Sequence, residues 1–91
     1  MLPVIWSHAA RADLKAIIAY IADRSPSAAL ALHNALVRAA AKLPQQPLLY
    51  RPGRIANTRE LVVHKNYILV YKVSNTEIRV QSVLHARQQY P

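Results

Sequence analysis

An α+β fold is what this 91-residue chain predicts. Two stretches with apolar residues spaced three and four apart come first, and three alternating runs rich in β-branched residues follow them. A helix-period half feeding a strand-period half describes helices laid on one face of an antiparallel sheet. The expected order is an N-terminal strand, a helical hairpin and a three-strand antiparallel meander, in one domain covering 1–91. Apolar residues make up 53% of the chain, enough for one modest core at this length.

Pro3–Trp6 reads as the short first strand, with proline at its start where no ladder donor is needed. Ser7 then offers an oxygen to the orphan N–H groups of a helix. Ala10, Leu14, Ile17, Ile18 and Ile21 form one stripe, predicting a helix over 8–23. Ser25-Pro26 opens the second helix, since proline fits the first helical position. Its stripe is Ala29, Leu32, Leu36, Ala40 and Leu43, predicting 26–43, and seven alanines between 28 and 41 favour helix. Only a tight hairpin fits the short link between the two.

Residues 44–57 are the one long connection. They hold three of the six prolines and the only glycine, and Gly53 after Pro52 suggests a turn needing φ > 0. Strands are expected at Arg59–Val63, Tyr67–Val73 and Glu77–Leu84, joined at His64-Lys65-Asn66 and Ser74-Asn75-Thr76. With a three-residue loop at 74–76, Glu77, Arg79, Gln81, Val83 and His85 share one face with Tyr67 and Tyr71. Ile78, Val80, Leu84, Ile68 and Val70 would then receive the helices. A slip of one residue exchanges the two faces.

Charge narrows the functional classes. Twelve Lys+Arg against four Asp+Glu give +8, and residues 51–91 carry seven of the basic residues against two acids. Such a balance suits contact with nucleic acid or an acidic protein surface. No apolar run reaches the ~20 residues of a membrane helix, and the N-terminus lacks a signal-peptide pattern, which fits a cytoplasmic protein. There is no cysteine, so no disulfide framework or thiolate metal site. His8, His33, His64 and His85 have no ligand spacing and no carboxylate cluster, so no metal and no cofactor is expected. Phosphate-loop, dinucleotide and Ser or Cys nucleophile signatures are absent. His85 is the one side chain suited to acid–base work near neutrality. Trp6 reads as core and Glu60 as surface charge.

Several stretches resemble the RelE/ParE superfamily of type II toxin–antitoxin toxins, the ParE branch most. They are Trp6-Ser7 with Asp13-Leu14, Ile17 with Tyr20-Ile21, Ser25-Pro26 with Ala28-Ala29, Arg51-Pro52-Gly53-Arg54, Thr58-Arg59-Glu60-Leu61-Val62, Tyr67-Ile68, Tyr71, and Val83-Leu84-His85 with Gln88-Gln89-Tyr90-Pro91. The resemblance implies a cognate acidic antitoxin, ParD-like or similar, and growth arrest. ParE-branch toxins poison DNA gyrase, whereas RelE-branch toxins cut mRNA in the ribosome with basic residues and a late tyrosine or histidine. As a nuclease, the chain would use His85 as general acid or base, with Arg79 and Arg59 on the phosphate. As a gyrase poison, it would present Arg51, Arg54, Arg59, His85 and Tyr90 to its target, with no catalytic residue. The nuclease arginine at the start of the middle meander strand is missing, for Tyr67-Ile68-Leu69 stands there. Gyrase inhibition therefore ranks first, ribosomal mRNA cleavage second, and a non-toxic nucleic-acid-binding module third.

Overall fold

A computed structural model describes residues 1–88 and 90; Gln89 and Pro91 of the tail lie outside the described residues. The elements are β1 (Val4–Trp6), α1 (His8–Ala22), α2 (Pro26–Lys42), a 3-10 turn (Leu43–Gln45), β2 (Arg51–Pro52), β3 (Arg59–His64), β4 (Tyr67–Val73) and β5 (Ile78–His85). The sheet order is β1-β5-β4-β3-β2, with β1 parallel to β5 and every other pair antiparallel. This is the expected α+β arrangement with one more strand. Among the described residues no helix is long and apolar enough to cross a membrane.

Both helices begin on the predicted caps. The Ser7 hydroxyl accepts from the Ala10 N–H at 3.0 Å and donates to the Gln81 carbonyl at 3.1 Å, so one side chain starts α1 and ties it to β5. Ser25 accepts from Ala28 N–H at 3.2 Å, with Pro26 in the first turn. Along α2, Ala29, Leu32, Leu36 and Ala40 are buried, as the stripe requires. Along α1 only Ala10 is fully buried; Leu14, Ile17, Ile18 and Ile21 stay half-buried. The first helix therefore keeps part of its apolar stripe unspent.

The sheet faces agree with the sequence reading at Ile78, Arg79 and Val80, and are exchanged along β4 and in β5 beyond Gln81. Leu61, Leu69, Tyr71, Ile78, Val80 and Val83 pack under the helices with Leu32, Leu36, Ala40 and Leu43. Ile68, Val70 and Leu84 are buried on the outer side instead. Two irregularities cause this. The hairpin loop is one residue longer, with Ser74 N–H bonded to the Glu77 carbonyl and Val73 opposite Ile78. A bulge then shifts the register between Val70 and Tyr71, so inward residues of β5 pass from Ile78 and Val80 to Val83. Arg79 points outward opposite Lys72 and pairs with Glu77 at 2.7 Å, whereas Tyr71 points inward, so the two do not stack. The Tyr71 hydroxyl donates to the Pro47 carbonyl at 2.7 Å, and burial pushes its phenol up to about 12 while Arg59 offsets part of the rise.

The long connection differs as well. Gly53 does not adopt positive φ; Asn57 does, at 66°. Gly53 is needed for space, because a Cβ there would lie 2.1 Å from the Oγ1 of buried Thr58. That close approach lets the Gly53 N–H reach the Thr58 carbonyl at 2.8 Å and lays β2 along β3.

Candidate functional site

The second strand places Arg51 directly opposite Glu60, and the turn after it returns Arg54 to the same carboxylate. Arg51 Nε and Nη2 both lie against Glu60 Oε1, at 3.0 and 2.8 Å. The Arg54 backbone N–H donates to Oε2 at 3.4 Å, and its Nε lies 3.8 Å from that oxygen. The Tyr90 hydroxyl donates to Oε2 as well. Glu60 is only 3% exposed, so it is not the surface charge its sequence context suggests.

Tyr90 arrives from the far side of the sheet. After β5 the Ala86 N–H bonds the Asn66 carbonyl at 2.7 Å, and Arg54 Nη1 donates to the Gln88 carbonyl at 3.4 Å. The Arg54 guanidinium lies 4.7 Å from the centre of the Tyr90 ring, a cation–π distance. Glu60 shares the outer face with its cross-strand partner Val70. Ile68, Val70 and Leu84 are buried on that face. Arg79 and Lys72 are exposed on the same face two residues farther along β4, with Arg79 paired to Glu77.

The charge states follow from these contacts. Burial pushes the Glu60 carboxyl upward, but hydrogen bonds from Tyr90, Arg51 and the Arg54 backbone outweigh it and hold it below its ordinary 4.5. Burial and the bond to Glu60 raise the Tyr90 phenol. Near neutrality the carboxylate is thus charged and the phenol protonated. Neither is matched to proton transfer at that pH.

A folded-state value below the unfolded one stabilises the protein above the unfolded pKa, and the gain is lost as pH falls through the folded value. Glu60→Gln should therefore lower the melting temperature most at neutral pH. The gap to the natural protein should close as the pH drops below about 4.5. A gap independent of pH, read by thermal melts across that range, would contradict the assignment.

The other predicted site residues lie elsewhere. Arg59 pairs with Tyr71 on the helix side, and its Nη1 donates to the carbonyls of Leu48 and Tyr50 at 3.1 and 2.8 Å. It fastens the long connection to the sheet. His85 pairs with Tyr67, also on the helix side, with ring centres 5.4 Å apart. It borders a groove of about 320 Å³ with Asp13, Tyr20 and Gln88. Along β4, Tyr71 and Tyr67 are four residues apart, which separates Arg59 from His85 by roughly 14 Å along the strand and roughly 10 Å across it. Arg79 is on the opposite face. Arg51, Arg54 and Tyr90 are brought together; Arg59, Arg79 and His85 are not.

Two features have little sequence signal. Asp13 of α1 accepts the Val83 N–H at 3.0 Å, securing β5 beyond its bulge. A larger groove of about 600 Å³ runs along the helices, floored by Trp6, Leu14, Ile18 and Val37 and rimmed by Arg11, Lys15 and His33. Trp6 is half-buried and serves both the core and this groove.

Comparison with known proteins agrees with this architecture. The family described as the ParE toxin of the type II toxin–antitoxin system parDE matches residues 4–90. Toxin RelE2 of Caulobacter vibrioides is 38% identical over 88 residues, covering 94% of this chain and 97% of its own. Y4kP of Sinorhizobium fredii is 38% identical over 87 residues, covering 94% and 90%. In structure, the chromosomal ParDE system of P. aeruginosa superimposes with a TM-score of 0.81 at 25% identity, covering 93% of this chain and 96% of that one. YafQ of E. coli shares the fold, with a TM-score of 0.64 at 16% identity over 94% of each chain. The chain belongs to the ParE family of toxins of type II toxin–antitoxin systems.

Proposed function

We propose that this toxin arrests growth by binding DNA gyrase and blocking replication, and that a cognate acidic antitoxin neutralises it. The observation that carries the reading is the separation of Arg59, Arg79 and His85. A ribonuclease needs proton transfer and phosphate stabilisation at one reacting centre. Here the three candidates occupy two faces of the sheet, and two of them are spent on structural contacts. The basic outer face built from Arg51, Arg54 and Tyr90 is suited to holding a protein, since Tyr and Arg are enriched at interfaces.

The antitoxin reading rests on different residues. The helix-side groove combines an apolar floor with a rim of Arg11, Lys15 and His33, and no acidic residue lines it. An amphipathic helix with acidic flanks fits such a surface, and the +8 charge would steer its approach. The ParDE system of P. aeruginosa carries the antitoxin in its name.

Cleavage of mRNA on the ribosome is the second reading, favoured by the relative named toxin RelE2. Order of failure in cells separates the two. After induction, thymidine incorporation should stop while methionine incorporation continues. Loss of methionine incorporation first, with cut transcripts, would favour the nuclease.

A further inference from the structure

Glu60 is the one buried charged side chain among the described residues. It projects from the outer face, so the helix-side core does not require it. Its donors come from three separate segments: β2 through Arg51, the following turn through Arg54, and the C-terminal tail through Tyr90. A single carboxylate thus takes bonds from all three, beside the direct contacts of Arg54 with the Gln88 carbonyl and the Tyr90 ring. Replacing a buried ionic group with apolar side chains of similar volume is often neutral or stabilising, so stability alone is a weak reason for this cluster.

The arginines remain available while held. Arg51 uses Nε and Nη2 on Glu60, and its side chain is still 54% exposed; Arg54 is 43% exposed. A guanidinium has five N–H donors, so several still face solvent. A free arginine loses rotamer freedom when it binds a partner, whereas these two have lost it already on folding. Glu60 itself is covered, and both its oxygens are engaged.

We propose that Glu60 is a positioning residue of the target-contacting surface, holding Arg51, Arg54 and the tail that bears Tyr90 in the one arrangement that binds. The inference rests on the reading above that these three residues contact the target. Glu60 acts through them and does not touch the target.

Two variants test it. Glu60→Gln keeps the size and one acceptor oxygen but removes the charge. Tyr90→Phe removes only the hydroxyl. Amide hydrogen exchange at Ala86, Arg87, Gln88 and Tyr90 reports whether the tail is docked. The inducer dose needed for growth arrest reports potency whatever the target is.

Each variant should speed tail exchange and weaken arrest by on the order of tenfold, the cost of ordering two loosened side chains on binding. The double variant should be no weaker than the weaker single one, because both act through the same contact. Unchanged tail exchange in Glu60→Gln overturns the proposal. So does a loosened tail with undiminished arrest, or a double variant whose losses multiply. Should Glu60→Gln fail to fold, Tyr90→Phe must show both changes by itself. A toxin that leaves gyrase untouched would remove the earlier reading, yet the arrest comparison would still decide this one.

Discussion

Leu36→Ala should cost the toxin about 2–5 kcal/mol, the range for emptying a buried leucine site. Leu36 is fully buried at the centre of α2 and belongs to the cluster formed with Leu69, Tyr71, Ile78 and Val80. Its Cβ direction is fixed by the helix, and β4 and β5 are held by their ladders, so the site has little room to collapse. Small domains have about 5–15 kcal/mol in total. At ~4–8 °C per kcal/mol for a chain of this size, the melting temperature should fall by at least ~8 °C. Saturating antitoxin should restore much of the loss, since a partner that binds only the folded state adds about 2.7 kcal/mol at a hundred times its dissociation constant. A drop of only a few degrees, measured by circular dichroism, would place Leu36 outside the cooperative core.

Deleting residues 86–91 should abolish growth arrest and leave antitoxin binding largely intact. The last strand ends at His85, so the deletion removes no ladder pairing. It does remove Tyr90 from Glu60, Gln88 from Arg54 and Ala86 from Asn66. Losing these bonds should cost about 1–3 kcal/mol, which the helix-side core can absorb. Arg51 and Arg54 would still neutralise Glu60, but their mutual placement would relax. Among the described residues, the larger groove rimmed by Arg11, Lys15 and His33 shares no lining residue with the tail. Antitoxin affinity, read by calorimetry, should change little. A truncated toxin that still arrests growth at the original dose would show that the tail does not contact the target.

The order of the helices and the longer strands was legible because a helix-period half is followed by β-branched runs separated by turn residues. Ser7, Ser25 and Pro26 even marked the helix starts to the residue. Which sheet face is inward was not legible. Ile68, Leu69, Val70 and Tyr71 are all buried, so β4 has no alternation to give its parity away. The loop at 74–77 and the bulge near Gln81 then decide the register, and neither leaves a residue pattern on the sequence. The two-residue strand β2 is too short for periodicity to show. The same strand explains why Glu60 was read as surface charge. Beside Arg59 it looks solvated, and only β2 sets Arg51 against it. One signal was present: Glu60 is one of four acids in a +8 chain, and it follows Arg51-Pro52-Gly53-Arg54 closely. Arg59 entered the candidate site through its charge and the Thr58-Arg59-Glu60 resemblance, and the fold gives it inward parity and bonds to the carbonyls of Leu48 and Tyr50.

On the proposed reading the toxin acts by holding a protein, without cutting RNA. Supercoiling by purified gyrase, titrated with full-length toxin, tests it most directly. Inhibition at micromolar toxin, reversed by added antitoxin and absent with the 86–91 deletion, is the predicted result. Gyrase left fully active by folded toxin that stalls a translation extract and leaves cut mRNA would contradict it.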